Sequence, residues 1–194
     1  MKVVCILMAA GAAKRFGSNK LIALYKGVPL YARAMDAIPV ELLSSVLVVS
    51  GCEDIMAEAE ERGFTVLEND RPELGAARTI RMGLEKAGEL GADAAMFMVA
   101  DQPKLTRKSV EALVEDYLAH PENIVLMAHG ERRGNPAIFP KAFFDELCAL
   151  EGDTGGSVVI RAHEDKIRLH QIADPGELAD VDGEDDYRKL ATDN

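Results

Sequence analysis

The sequence predicts an α/β fold built on a mostly parallel sheet flanked by helices, and three observations carry that expectation. Short apolar runs recur along the chain, stretches of helical period separate them, and the alternation changes character after residue 128. The runs are VVCILMA near the start, SSVLVVS at 44–50, FTVLE at 64–68, AAMFMVA at 94–100 and NIVLMA at 123–128. Their shortness and continuous apolarity suit strands covered on both faces. Between them lie LYARAMDAI, EDIMAEAEER, GAARTIRMGLEKAGEL and TRKSVEALVEDYLAH, each with apolar residues at helical spacing. The last opens on Thr106, an N-cap residue, and stops before Pro121. Strands alternating with helices imply right-handed crossovers between parallel neighbours.

Beyond residue 128 the pattern loosens. GERRGNPAIFP reads as a turn followed by a short, antiparallel extended segment, and PKAFFDELCAL returns to helix. EGDTGGSVVIRAH is glycine-rich and then helical, DKIRLHQI is a strand, and GEDDYRKLA closes the chain as a helix. At 194 residues, with no linker, low-complexity tract or repeat, a single domain over 1–194 is expected. Ligands of open α/β sheets sit beyond the carboxyl ends of the strands, so the segments just after the runs are where function is sought.

Composition narrows the classes. A net charge of −11 opposes general nucleic-acid binding, which needs a basic face. Residues 1–35 nevertheless carry six cations and no acid, while all 33 acids and the other 16 cations lie beyond them. Such a corner concentrates a small anion locally; a chance solvated face is the alternative on charge alone. The apolar stretch VVCILMAAGAA is too short to span a bilayer and has no processing-site pattern, so a cytoplasmic protein without a membrane partner is expected. Cys5, Cys52 and Cys148 are odd in number and far apart, which suggests buried thiols rather than disulfides or a thiolate zinc site. His163-Glu164 begins like a zinc-helix motif, but His170 is off the required face.

The loop Met8-Ala-Ala-Gly-Ala-Ala-Lys-Arg-Phe-Gly-Ser-Asn-Lys20 follows the first run, and its small residues let backbone amides approach an anion. It fails the Walker spacing, since counting from Gly11 reaches Phe16 where a glycine is required. It also fails the dinucleotide fingerprint, since Ala13 and Phe16 stand where glycines are needed. What remains, AAGxxxRFGxxK, resembles the signature of the MobA-like nucleotidyltransferases, of which molybdenum cofactor cytidylyltransferases are one branch. The resemblance implies a Rossmann-like sheet of the nucleotide-diphospho-sugar transferase type. It also implies that Ala9, Ala10 and Gly11 wrap a triphosphate while Arg15 and Lys20 neutralise the departing pyrophosphate. Guanidinium and ammonium groups supply the charge stabilisation on which phosphoryl transfer depends.

The resemblance extends along the chain. VADQPKLT at 99–106 matches the family's aspartate segment, which makes Asp101 the first ligand of Mg²⁺; a carboxylate capping the helix near Thr106 is the competing reading. ADVDGEDDYRKL resembles the family's DIDTPEDL and implies Asp182 as the second ligand, with an acidic helix cap as the alternative. ENDRPELGAARTIRMGLEKA resembles the nucleotide-selecting stretch through Asn69, Gly75, Thr79 and Arg81, while Ala76 and Ala77 depart from it and Arg78 is available to take up a lost contact. GERRGNPAIFPKAFFDEL and EGDTGGSVVIRAH resemble the acceptor segments, which implies acceptor binding by Arg133, Asn135, Pro136 and Asp153; the arginine usual in the second is missing or displaced.

The implied reaction is transfer of CMP from CTP to the phosphate of molybdopterin with release of pyrophosphate, nucleotide bound by residues 1–128 and acceptor by 129–194. AAG in the first loop looks like the cytidylyltransferase branch. Molybdopterin and a molybdoenzyme client are the implied partners. The rivals are a related nucleotidyltransferase using GTP or ATP, or a sugar or polyol phosphate acceptor, and a non-catalytic carrier of the cofactor.

Overall fold

The computed structural model describes residues 1–10, 20–181 and 186. A seven-stranded sheet runs through it. The first strand, β1 (Val3–Met8), is followed by a two-stranded hairpin of β2 (Leu24–Tyr25) and β3 (Val28–Pro29). Helix α1 (Leu30–Asp36) then leads to β4 (Ser45–Ser50), α2 (Glu53–Glu61) and β5 (Thr65–Glu68). Helix α3 (Ala76–Glu89) precedes β6 (Ala94–Val99), and α4 (Arg107–Ala119) precedes β7 (Ile124–His129) and β8 (Arg132–Pro140). Helices α5 (Phe144–Cys148) and α6 (Ser157–Ala162) and strand β9 (Ile167–Gln171) complete it. The helix expected over 183–191 lies outside the described residues apart from Asp186.

The strand order is β5-β4-β1-β6-β8-β7-β9, and every pairing is parallel except the two made by β8. Alternate residues of β1 serve opposite cores, which is why its sequence is apolar throughout. Cys5 and Leu7 pack with α1, α2 and α4 through Met35, Ile55 and Leu113. Val4 and Ile6 pack with α3 and α5 through Ile80, Leu84 and Leu147. Gly83 lets α3 press onto the sheet, since a Cβ there would lie 2.6 Å from Ile6.

The expected antiparallel element of the C-terminal half is present as β8, which spans nine residues and lies inside the sheet, between β6 and β7. Pro136 disguised it, because a proline argues against a central strand. The register with β7 slips at Leu126/Met127, so Asn135 and Pro136 fall out of the ladder and the missing N–H is not needed there. The β2–β3 hairpin was not foreseen. Its turn places Lys26 at φ 50° and Gly27 at φ 78°, the left-handed pair that tight hairpins demand. Of the cysteines, all free, only Cys5 is fully buried; Cys52 and Cys148 sit half-buried at the ends of α2 and α5.

Candidate active site

Strands β1 and β6 pair in parallel with Met8 opposite Val99, so both chains leave the sheet side by side at its carboxyl edge. Chain connections run from β1 outward to β4 and β5, then return to β6 on its other side, which makes this edge the switch point where α/β sheets bind ligands. Two adjoining cavities open there. They share Met8, Ala76 and Val99 as a common wall.

The first cavity, of about 510 Å³, is lined by Ala10, Lys20, Gly75, Thr79, Asp101 and Asp153 among others. Lys20 opens a short 3-10 turn, and its Nζ donates to Asp101 Oδ2 at 2.7 Å and to the Val181 carbonyl at 2.9 Å. Asp101 is the second residue beyond the end of β6. Its backbone carbonyl accepts from Val181 N at 3.0 Å, which draws the C-terminal segment to the same place one residue before Asp182. Asp182, Gly11 and Arg15 lie outside the described residues.

Among the described residues Asp101 makes no hydrogen bond to the start of α4. Thr106 caps α4 by accepting from Ser109 N at 3.2 Å, as its sequence position predicts. The second cap comes from afar. Glu177, buried, accepts from Thr106 N and Oγ1, both at 2.9 Å, and from Ser109 Oγ at 2.9 Å. A carboxylate at a helix N-terminus meets unsatisfied amides and a favourable dipole. Arg132 adds a bond to the Leu178 carbonyl at 2.8 Å, so residues 177–181 are strapped to the sheet edge.

The donor set at Asp101 suits a hard divalent cation. Among the described residues its Oδ1 takes no hydrogen bond, and Mg²⁺ typically needs only one or two protein carboxylates, filling its shell with water and phosphate. No group of three or more metal-ligating side chains occurs among the described residues, so nothing there resembles a closed protein cage.

The nucleotide-selecting segment divides into wall and support. Thr79 and Gly75 face the cavity. Gly75 has φ 88°, and a Cβ there would lie 2.4 Å from the backbone of Gly152, so no other residue fits. The loop it touches caps α3: Ala76 N donates to Asp153 Oδ1 at 3.3 Å and Ala77 N to the Gly152 carbonyl at 3.1 Å. Asp153, expected on the acceptor side, thus stands in the same cavity as Lys20 and Asp101. Asn69 is fully buried behind the wall, donating to Thr79 Oγ1 at 3.1 Å and accepting from Arg78 Nε at 2.9 Å and Arg71 N at 3.2 Å. It holds the Thr79 hydroxyl from behind the cavity wall. Arg78 is held by Asn69 and Asp70, and Arg81 by the carbonyls of Cys148 and Leu150 at the end of α5, so neither faces the cavity. Ala9 is likewise withdrawn, its N–H donating to Val49 O at 2.9 Å, whereas Ala10 lines the cavity.

The second cavity, of about 450 Å³, is mostly apolar, with Ile80, Phe97, Leu126, Phe139 and Ile160 in its walls. Arg133 and Asn135 line it as expected, but Pro136 is buried outside the lining. Arg133 makes a two-pronged pair with Glu164, both contacts at 2.8 Å, which holds the glutamate below the usual carboxylate range. Sequence reasoning missed Ser157 and Arg161, which also line it. Their spacing on α6 is the signal, since residues four apart share a helix face.

A mostly parallel sheet of this order, with a polar cavity and a lysine-carboxylate pair at its switch point, has the build of the nucleotide-sugar transferase type. The model of the MobA-like NTP transferase domain matches residues 5–167, and the chain belongs to that family. It is 26% identical over 195 residues to the purine catabolism protein PucB of Bacillus subtilis, covering 95% of this chain and 94% of that one. Over 126 residues it is 31% identical to the molybdenum cofactor guanylyltransferase of Rhodobacter capsulatus, 63% of each chain. The crystal structure of Rv0371c from Mycobacterium tuberculosis in complex with manganese superimposes with a TM-score of 0.77 at 20% identity, covering 100% of both chains. Among the described residues no helix is long and apolar enough to cross a membrane.

Proposed function

We propose that this nucleotidyltransferase transfers CMP from CTP to the phosphate of molybdopterin, with Mg²⁺ and release of pyrophosphate. Residues 1–128 bind the nucleotide and 129–194 the acceptor, within one domain. The observation that carries the reading is the Lys20–Asp101 pair, 2.7 Å apart on the lip of the polar cavity where β1 and β6 end. An acceptor phosphate oxygen attacks the α-phosphorus, the bond to the bridging oxygen breaks, and pyrophosphate leaves with the electron pair. Lys20 and Arg15 balance the charge that develops on it, and no side-chain nucleophile is needed. Asp101 and Asp182 would hold the metal, which when bound supplies further charge neutralisation of the triphosphate. Ala10, Gly75 and Thr79 line the nucleotide cleft, Gly11 is the further contact that the resemblance implies, and Asp153 caps the adjoining helix.

Ala10 in the first loop supports the cytidylyltransferase branch. The name of the Rhodobacter capsulatus relative favours a second reading, in which GTP is the donor. Pyrophosphate release with Mg²⁺ and molybdopterin, tried with CTP, GTP, ATP and UTP in turn, separates them. Release with CTP alone is expected; release with GTP alone replaces the donor, and silence with all four removes the reaction.

A further inference from the structure

Lys20 and Asp101 have separate work in the reading above, yet each is engaged by the other. The ammonium is wanted against phosphate and the carboxylate against a divalent cation. Lys20 Nζ nevertheless lies 2.7 Å from Asp101 Oδ2, with both side chains mostly shielded, 15% and 20% exposed. Neither can do its work while that contact holds.

The surroundings of Nζ show what the contact imitates. It donates to a carboxylate oxygen at 2.7 Å and to the Val181 carbonyl at 2.9 Å. Carboxylate and backbone carbonyl oxygens are the ligands that hard cations take. Both oxygens are fixed from outside the contact: Val181 N donates to the Asp101 carbonyl at 3.0 Å, and Val181 is fully buried with Tyr25 and Leu30. Lys20 differs. Its neighbour Leu21 anchors the backbone in the core, while a flexible four-carbon stem lets the ammonium swing. The oxygens are static and the cation on them is movable.

Asp101 Oδ1, which takes no hydrogen bond among the described residues, does not escape the conflict. A dication there would share one carboxylate with an ammonium, and in a partly buried site like charges repel more strongly than in water.

We propose that Lys20 is a built-in placeholder: in the nucleotide-free chain its ammonium holds the cation position at Asp101 and Val181, keeps divalent metal out, and leaves when triphosphate oxygens draw it off. The exchange keeps every charge paired. Beforehand the ammonium faces the carboxylate; afterwards it faces phosphate while the carboxylate faces the metal, so no shielded charge is left without a partner. Metal and nucleotide therefore bind as one unit. The proposal rests on the reading above in taking Asp101 as a metal ligand, and its test separates the two.

The probe is Mn²⁺ alone, added to the full chain without nucleotide and followed by the electron paramagnetic resonance signal of the free ion. Wild type should bind it weakly, and Lys20→Met should bind it about ten-fold more tightly, the effect of releasing a charged hydrogen-bond partner. Lys20→Arg, which keeps a cation, should stay close to wild type. Adding Asp101→Asn to Lys20→Met should abolish the gain. Lys20→Gln repeats the neutral substitution if thermal denaturation shows the Met variant to be poorly folded. Lys26→Met removes another cation of the same basic stretch, from the exposed β2–β3 turn, and should leave Mn²⁺ affinity nearly unchanged.

Affinity unchanged or lowered in Lys20→Met and Lys20→Gln, with Asp101→Asn still weakening binding, overturns the placeholder and leaves the metal ligand standing. An equal gain in Lys26→Met also overturns it, since a general field rather than displacement is then at work. A gain that survives Asp101→Asn removes Asp101 as a metal ligand, and the proposal falls with it.

Discussion

The two cavities share three residues of wall and almost nothing else. One is bordered by an ammonium, three carboxylates and a helix start; the other is mostly apolar, with two arginines on its lining. The polar cavity depends on charges held against each other, so single atoms matter and the surrounding core hardly changes when they are altered. The apolar one depends on shape, and its selectivity is spread over many side chains. Chemistry should therefore be concentrated in the first and discrimination in the second.

The largest effect that would break this division is expected at the charged pair. Asp101→Asn and Lys20→Ala should each lower turnover by about 10²–10³-fold or more, with Tm close to that of the unaltered chain by thermal denaturation. Wild-type turnover in either variant would remove the polar cavity as the reaction centre. Next comes Gly75→Ala, which combines φ 88° with a 2.4 Å approach to Gly152. Chemical denaturation should show a loss of more than about 1 kcal/mol, with a raised KM for nucleotide, because the two loops that meet there form the cavity wall.

A similar loss is expected at Glu177. Removing its carboxylate with Glu177→Ala takes the acceptor from three part-buried donors at the start of α4, Thr106 N, Thr106 Oγ1 and Ser109 Oγ, and should cost about 1 kcal/mol, as the loss of a helix cap does. The same substitution loosens the strap that leads to Asp182, so the Mg²⁺ concentration needed for half-maximal activity should rise as well. A fall in Tm with no change in metal dependence would separate the strap from the site.

The smallest effect lies far from both cavities. Asp116 on α4 accepts from Arg168 Nε at 2.7 Å and His170 Nδ1 at 3.0 Å, tying the helix to edge strand β9. Burial alone would raise its pKa, but Arg168 and His170 outweigh it and hold the carboxyl below its ordinary value. Because the folded value is the lower one, the contribution to stability is complete above the ordinary aspartate pKa of about 3.9 and disappears as pH falls through the folded value. Asp116→Asn should accordingly lower Tm slightly at pH 7, and the difference from the wild type should close in strong acid.

Much of the fold was legible because it is local. Continuous apolar runs marked β1, β4, β6 and β7, and Thr106 and Pro121 bracketed α4 on both sides. What hid β8 was Pro136, whose usual meaning fails when a register slip takes it out of the ladder. The β2–β3 hairpin was hidden differently, since Lys26-Gly27 is a weaker signal than the asparagine or aspartate that commonly precedes glycine in such turns.

The candidate site was legible only where a motif names a position. Lys20, Asp101, Gly75 and Thr79 border one cavity, while Asn69 and Ala9, equally matched, lie behind its wall. Asp153 was expected with the acceptor, and its place beside Lys20 follows from Gly75, which admits its loop at backbone distance. Glu177 carries no local signal, as its partners are 68 and 71 residues away.

By itself the sequence determined the alternation of strands and helices, the buried faces, and which side chains could carry charge, because periodicity and cap chemistry act over a few residues. Tertiary structure alone decided that Lys20 and Asp101 meet, that Asn69 is a support, and that Arg161 reaches the apolar cavity. Those outcomes depend on crossovers and loop contacts between distant residues, where burial and available partners, rather than residue type, assign each side chain its work.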